Sequence, residues 1–201
     1  MPMKWSSLLP LGLTLCLMLG LILTIGGCAQ RLDRDTCMNL TSDVSYCLAP
    51  LQNDLSLSQT QKVNLEVDGS KHQLLSQLEL TPEQLTLVGL APLGQALFTL
   101  TFDGKRLESQ QSALLGEAFK GEYLLALLQL IYWPIEEANL QLRGAVLRTI
   151  ACEATHCRGL YSDNTQTQVL EIRYSQTSPW QAQVILTFEQ AKLTLKITPL
   201  A

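Results

Sequence analysis

The sequence predicts a mainly β, α+β fold: a curved antiparallel sheet or half-open β-barrel of about 9–11 strands, with two central helices packed in or over the concave face. Three observations predict it. From residue 61 apolar residues recur with period two, the spacing of strands that bury one face. Asp-Gly pairs at 68–69 and 103–104 supply hairpin turns. Between the two strand-rich halves, residues 122–133 read Glu-Tyr-Leu-Leu-Ala-Leu-Leu-Gln-Leu-Ile-Tyr-Trp, whose Leu and Ala content favours helix.

Taken in order, Val63, Leu65 and Val67 alternate with Lys62, Asn64 and Glu66 up to the Asp68-Gly69 turn. Leu74, Leu78 and Leu80 share a face of the next strand, with Ser76 among them, and Thr81-Pro82-Glu83 ends it. Leu85 and Leu87 begin a third strand that stops within residues 89–94. Ala96, Phe98, Leu100 and Phe102 line one face of a fourth, and Asp103-Gly104 turns the chain into a fifth at 105–110. Short turns between alternating strands describe an antiparallel meander. The Leu-rich helix ends at Pro134, and Ile135 to Leu142 form a second short helix stopped near Gly144. Alternation resumes at 146–151, then in Leu170, Ile172 and Tyr174, in Trp180, Ala182, Val184, Leu186 and Phe188, and finally in Leu193, Leu195 and Ile197.

The first helix is apolar on more than one side. Tyr123, Leu124, Leu127, Leu128 and Ile131 cover one side; Leu125, Tyr132 and Trp133 cover much of the rest, leaving Gln129 as the single interior polar residue. Such a helix is either buried on most sides or meets an apolar ligand. Phe98, Leu100, Phe102, Tyr123, Leu124, Leu127, Leu128, Ile131 and Trp133 are therefore candidates to line a ligand cavity. Plain core packing against a curved sheet accounts for the same residues, so both readings stand at this point.

The N-terminus is a separate matter. Lys4 precedes an uncharged, mostly apolar run from Leu8 to Ile25, which has the layout of an export signal. Ile25-Gly26-Gly27-Cys28 resembles the lipobox of bacterial lipoproteins. The resemblance implies a signal peptide over residues 1–27 and lipidation of Cys28 with diacylglycerol and a further acyl chain such as palmitate. With Ala29 rather than Asp after the cysteine, it also implies sorting to the outer membrane on its periplasmic face. An uncleaved transmembrane anchor is the alternative, since about 18 apolar residues can just span a bilayer. Residues 28–60 are polar and read as the lipidated N-terminus and a tether; residues 61–201 read as the folded domain.

Cys16 leaves with the signal, so Cys37, Cys47, Cys152 and Cys157 remain for pairing. An oxidising compartment favours disulfides. The short spacings favour Cys37–Cys47 and Cys152–Cys157, although three pairings are open. A zinc site of Cys152, His156 and Cys157 is the rival, but it lacks CxxC spacing and a fourth ligand. Removing Lys4 with the signal leaves 13 basic against 18 acidic side chains, a mildly acidic chain with no basic run, which argues against nucleic-acid binding.

Enzymatic signals are thin: no Gly-x-Ser-x-Gly, Walker, Gly-x-Gly-x-x-Gly or His-Glu-x-x-His motif occurs. His72 sits near a hairpin turn and His156 between two cysteines, neither beside a nucleophile pattern. Glu136-Glu137 reads as a solvated helix surface because neighbouring helical side chains point about 100° apart, and Lys105-Arg106 as a polar edge. No cofactor or metal is expected, and the chain is not expected to be an enzyme.

The run Leu85-Thr86-Leu87-Val88-Gly89-Leu90-Ala91-Pro92-Leu93-Gly94, with Leu97 to Leu100, Asp103-Gly104 and the helix ending Trp133-Pro134, resembles an uncharacterised family of bacterial outer-membrane lipoproteins, a domain of unknown function often found beside aryl polyene clusters. Residues 60–140 are more distantly similar to the LolB-type outer-membrane lipoprotein receptor. That resemblance implies a half-open barrel whose apolar concave face, lidded by helices, binds acyl chains. The receptor's exposed hydrophobic loop has no clear match in the turn Asp68-Gly69-Ser70-Lys71, and the cysteine pairs lie outside the receptor's pattern. Three functions are weighed. The first is a monomeric, lipid-anchored protein that binds or transfers a lipid, a lipoprotein or a lipid-linked pigment, with a soluble periplasmic carrier as partner. The second is a non-catalytic structural or interaction module of an envelope complex. The third is a lipid-modifying acyltransferase or thioesterase.

Overall fold

The computed structural model describes residues 30–52, 54–115 and 119–200. Five segments precede or form the first meander: β1 (Gln30–Arg34), β2 (Cys37–Asn39), β3 (Ser45–Cys47), β4 (Leu57–Val67) and β5 (Ser70–Leu80). β6 (Leu85–Leu90), β7 (Ala96–Phe102) and β8 (Leu107–Gln111) complete it. Helices α1 (Gly121–Tyr132) and α2 (Ile135–Gln141) follow, then β9 (Leu142–Arg143), β10 (Ala145–Thr149), β11 (His156–Ser162), β12 (Gln168–Tyr174), β13 (Val184–Phe188) and β14 (Leu193–Pro199).

Eleven strands make one antiparallel sheet in the order β1-β8-β7-β6-β5-β4-β14-β13-β12-β11-β10. Two meanders meet where the last strand, β14, pairs with the first strand of the opposite meander, β4, with Leu195 opposite Leu65. The sheet ends at β1 and β10, so it is not a closed barrel. Its curvature follows from α1. Gly121 lies against Leu100 on β7, while carbonyls at the other end of α1 receive hydrogen bonds from β11 and β12. In a flat sheet β7 and β11 would lie about 34 Å apart at about 4.8 Å per strand. A twelve-residue helix is only about 18 Å long. The sheet reaches both ends of the helix by curling round it.

Alternation decides which side chains face inward. Phe98, Leu100 and Phe102, Leu78 and Leu80, Leu85 and Leu87, Val184, Leu186 and Phe188, and Ile172 and Tyr174 all point to the concave side and are buried. A second, three-stranded sheet, β2-β3-β9, covers the outer side of α1. The helix is therefore sandwiched, which explains an apolar surface on all sides. The free edge at β10 is blunted by Asn139 of α2, which donates to the Leu147 carbonyl (2.9 Å) and accepts from its N–H (2.8 Å), as a neighbouring strand would.

Three expectations change. Within residues 28–60, expected as the lipidated N-terminus and a tether, the described residues include paired strands: β1 pairs with the edge strand β8, and β2 and β3 build the small sheet. Trp180 and Ala182, expected in a strand, lie in a turn before β13, with Trp180 stacked on Tyr132 (centroids 4.1 Å apart). β11 was hidden because residues 157–160 are buried on both faces and contain Arg158 and Gly159, so no alternation marks them.

Candidate functional site

The site is built on α1 and on what holds it. Leu125, Leu130, Ile131 and Trp133 are fully buried, and Leu127, Leu128 and Tyr132 nearly so. Five hydrogen bonds from four side chains then fix its C-terminal half. Arg158 of β11, itself buried, donates through Nη1 to the carbonyls of Leu130 (3.2 Å) and Trp133 (2.8 Å), two acceptors left over at a helix end. The Tyr174 hydroxyl donates to the Ile131 carbonyl (2.6 Å). Gln61 of β4 donates to the Tyr132 hydroxyl (3.0 Å). Trp133 Nε1 donates to the Pro50 carbonyl (3.1 Å).

Gln129 makes the fourth face of the helix polar for a reason. Its Oε1 accepts from the Ala49 N–H (2.7 Å) and the Tyr46 hydroxyl (3.1 Å), while Nε2 donates to the Ala49 carbonyl (3.0 Å). The N-terminal half is held more lightly. No side chain caps α1 at Lys120, Tyr123 and Leu124 are half-buried, and Glu122 meets Arg34 of β1 at 3.6 Å. The Tyr123 hydroxyl also donates to the Asn39 carbonyl.

Of the nine cavity candidates, Phe98, Leu100, Phe102, Leu127, Leu128, Ile131 and Trp133 come together around α1, all at 5% exposure or less. In this state they pack against one another as core. Tyr123 and Leu124 sit at the accessible end of the helix. Cys28 lies outside the described residues. Disulfides join Cys37 to Cys47 and Cys152 to Cys157, so the zinc alternative loses its thiolates. His72 is an exposed strand residue, and His156 is packed 5.3 Å from the Tyr174 ring.

Sequence reasoning missed three residues. Gln129 had a signal, a lone amide in an apolar helix. Arg158 had none, because an inward-facing cation in an unmarked strand looks like any surface arginine. Leu93, read as part of a turn, is 99% exposed at the tip of the β6–β7 loop, where the Gly94 N–H returns to the Ala91 carbonyl (2.8 Å).

Burial pushes the Tyr132 phenol up to about 12, only partly offset by the Gln61 hydrogen bond, and raises Tyr46 and Tyr174 for the same first reason. A phenol whose folded pKa lies above the unfolded value of about 10 adds stability that is complete below pH 10 and is lost as pH rises through the folded value. All three phenols hold α1. Urea unfolding at pH 8, 10 and 11 should therefore show a falling midpoint above pH 10, and Tyr132→Phe should make the fall shallower; a flat profile would contradict this account.

The matching family model covers residues 58–201 and is described as protein of unknown function (DUF3261). The chain belongs to this family. The DUF3261 match begins inside β4 and leaves β1, β2 and β3 outside it. No curated protein matches the chain. Among solved structures, the crystal structure of a LolA superfamily protein from Nitrosomonas europaea is similar at a TM-score of 0.41 and 9% identity, over 77% of this chain and 87% of that one.

Proposed function

We propose that this DUF3261 protein is a lipoprotein, anchored through acyl chains on Cys28 to the periplasmic leaflet of the outer membrane, that binds or hands over an acyl-chain ligand without catalysing a reaction. It would act as a monomer and exchange that ligand, a lipid, a lipoprotein or a lipid-linked pigment, with a soluble periplasmic carrier. One observation carries the reading: an open-edged, apolar concave sheet is filled by a helix that is apolar on every side but that of Gln129 and held at its C-terminal half by a few hydrogen bonds. If α1 lifts, an apolar trough replaces the core. Leu93, exposed at a loop tip, adds a hydrophobic contact of the kind a membrane surface accepts.

Magnitudes restrict the ligand. Exposing the six large apolar side chains buried on α1, with Trp133 at its C-cap, to water costs about 10–20 kcal/mol at about 1.5–3 each. That exceeds what a domain with about 5–15 kcal/mol of stability tolerates. The helix therefore leaves only as the guest enters. One acyl chain of about 15 methylenes contributes about 12 kcal/mol at about 0.8 each, which barely offsets the loss. A guest with two or three chains exceeds it.

The mature protein, extracted in detergent, should carry multi-acyl lipid in native mass spectrometry. It should also take up a fluorescent diacyl lipid at least tenfold more tightly than a fluorescent fatty acid. Absence of both lipid and uptake would end this reading. The second reading, a tethered non-catalytic interaction module of an envelope complex, would then hold, and the sealed packing around α1 is the observation that favours it.

A further inference from the structure

An open cleft of about 570 Å³, a ligand-sized volume, lies between the segment holding Ala49, Pro50, Leu51, Gln52, Asp54 and Leu55 and helix α2. Its walls are apolar: Pro50, Leu51, Leu55, Pro134 and Leu140. Leu140 is 81% exposed, one of very few large apolar side chains so placed among the described residues. Its polar groups are carboxylates and amides. Asp54 and Glu137 line it with Gln52 and Gln141, and no basic side chain does among the described residues. Glu137 is exposed and accepts a long hydrogen bond from Gln52 Nε2 (3.4 Å). Lys105 and Arg106 belong to the turn that touches Leu51 through Gly104 but stay outside the lining. Each wall thus carries one carboxylate, Asp54 on the loop side and Glu137 on α2.

We infer that this cleft docks a basic, apolar peptide segment of a partner protein. Apolar walls under an exposed carboxylate match a lysine or arginine side chain, which lays its methylene stem on apolar surface and keeps its charged head in water beside an anion. Gln52 and Gln141 offer amides for the peptide backbone. The chain's formal net charge of −4 adds long-range attraction for a basic partner. The volume lies within the range of about 300–1,000 Å³ usual for binding clefts.

The cleft also shares its walls with the lock on α1. Ala49 holds Gln129, Pro50 receives Trp133 Nε1, and Pro134 follows Trp133 directly. A segment seated there touches the loop that bonds Gln129 and Trp133, and through it docking is coupled to lifting of α1. This coupling rests on the lipid-exchange reading; the docking itself does not.

The test uses the mature protein and a fluorescein-labelled probe peptide, acetyl-Gly-Leu-Lys-Leu-Arg-Leu-Gly-amide, with its Glu-for-Lys and Glu-for-Arg counterpart as control. Anisotropy titration should show binding of the basic probe alone, weakened at least tenfold by Glu137→Lys and about fivefold by Leu140→Ser. Glu189→Lys, the same charge change on the remote turn before β14, should have less than a twofold effect. Amide NMR shifts on adding the probe should map to residues 49–55 and 134–141. Equal binding by wild type and Glu137→Lys, shifts elsewhere, equal competition by hexylammonium, or self-association that buries Leu140 would each overturn the docking proposal. If the probe binds as stated but diacyl-lipid uptake is absent, docking survives and the lipid reading falls. If uptake is normal and the probe fails to bind, the reverse holds.

Discussion

Gln129→Leu is expected to destabilise the protein by about 3–5 kcal/mol although it replaces a polar residue by an apolar one of similar size in an apolar surround. The side chain is fully buried, as are both its partners, Tyr46 and Ala49. Its amide pairs with the Ala49 N–H and carbonyl at 2.7 and 3.0 Å and accepts from the Tyr46 hydroxyl at 3.1 Å. Leucine leaves three polar groups without partners in a place water does not reach, at about 1–3 kcal/mol each. Burial of the extra methyl offsets part of that. Urea denaturation of wild type and variant measures the difference through the midpoint at constant slope. A loss below about 1 kcal/mol would show that the loop at Ala49 moves freely and that Gln129 is not the outer lock on α1. On the lipid-exchange reading the same variant should take up a diacyl lipid faster than wild type, because the step it weakens is release of the helix.

Much of this fold was legible in the residues because binary patterns report it directly. Val63, Leu65 and Val67 against Lys62, Asn64 and Glu66 face two environments, and the two-residue Asp68-Gly69 loop fixes the register so that Val67 lies opposite Ser70. The helix bounds follow from Pro134 and the Leu-rich run, and α1 ends at Tyr132 as that proline requires. What escaped was whatever depends on partners distant in sequence. β1 is five polar-rich residues whose strand character comes from the unpaired edge of β8, some 77 residues later, as with Arg34 and Gln111. β2, β3 and β9 are two or three residues long, too short for any period to show. The candidate site was half legible. The apolar character of α1 announced that something apolar surrounds it, but a filled core and a cavity share one sequence signature. Only the small sheet, unseen in the pattern, decides that the helix has no bare side.

That small sheet depends on one backbone position. Gly144→Ala is expected to cost at least about 3 kcal/mol, enough to deplete folded protein in a domain of ordinary stability. Gly144 joins β9 of the small sheet to β10 of the large one with φ at +76°, a left-handed conformation that costs an L-residue about 1–2 kcal/mol. A Cβ there would also collide with the Asp43 carbonyl oxygen, which is backbone and has no rotamer to relieve the clash. Asp43 cannot retreat cheaply, since its carboxylate accepts from Ser162 Oγ (2.9 Å) and Thr41 Oγ1 (2.8 Å), and the Gly144 carbonyl accepts from the Asp163 N–H (2.9 Å). Gly94 separates the two terms: its φ is +83°, but nothing lies within 4 Å of a Cβ built on it. Gly94→Ala should therefore lose only the conformational part, about 1 kcal/mol. Thermal and urea unfolding of the two variants side by side give the contact term as their difference. Equal losses would mean that β2, β3 and β9 shift as a unit without resistance. The cover over α1 would then be loose, and opening the trough would need far less than the exchange of a whole helix for a multi-acyl guest.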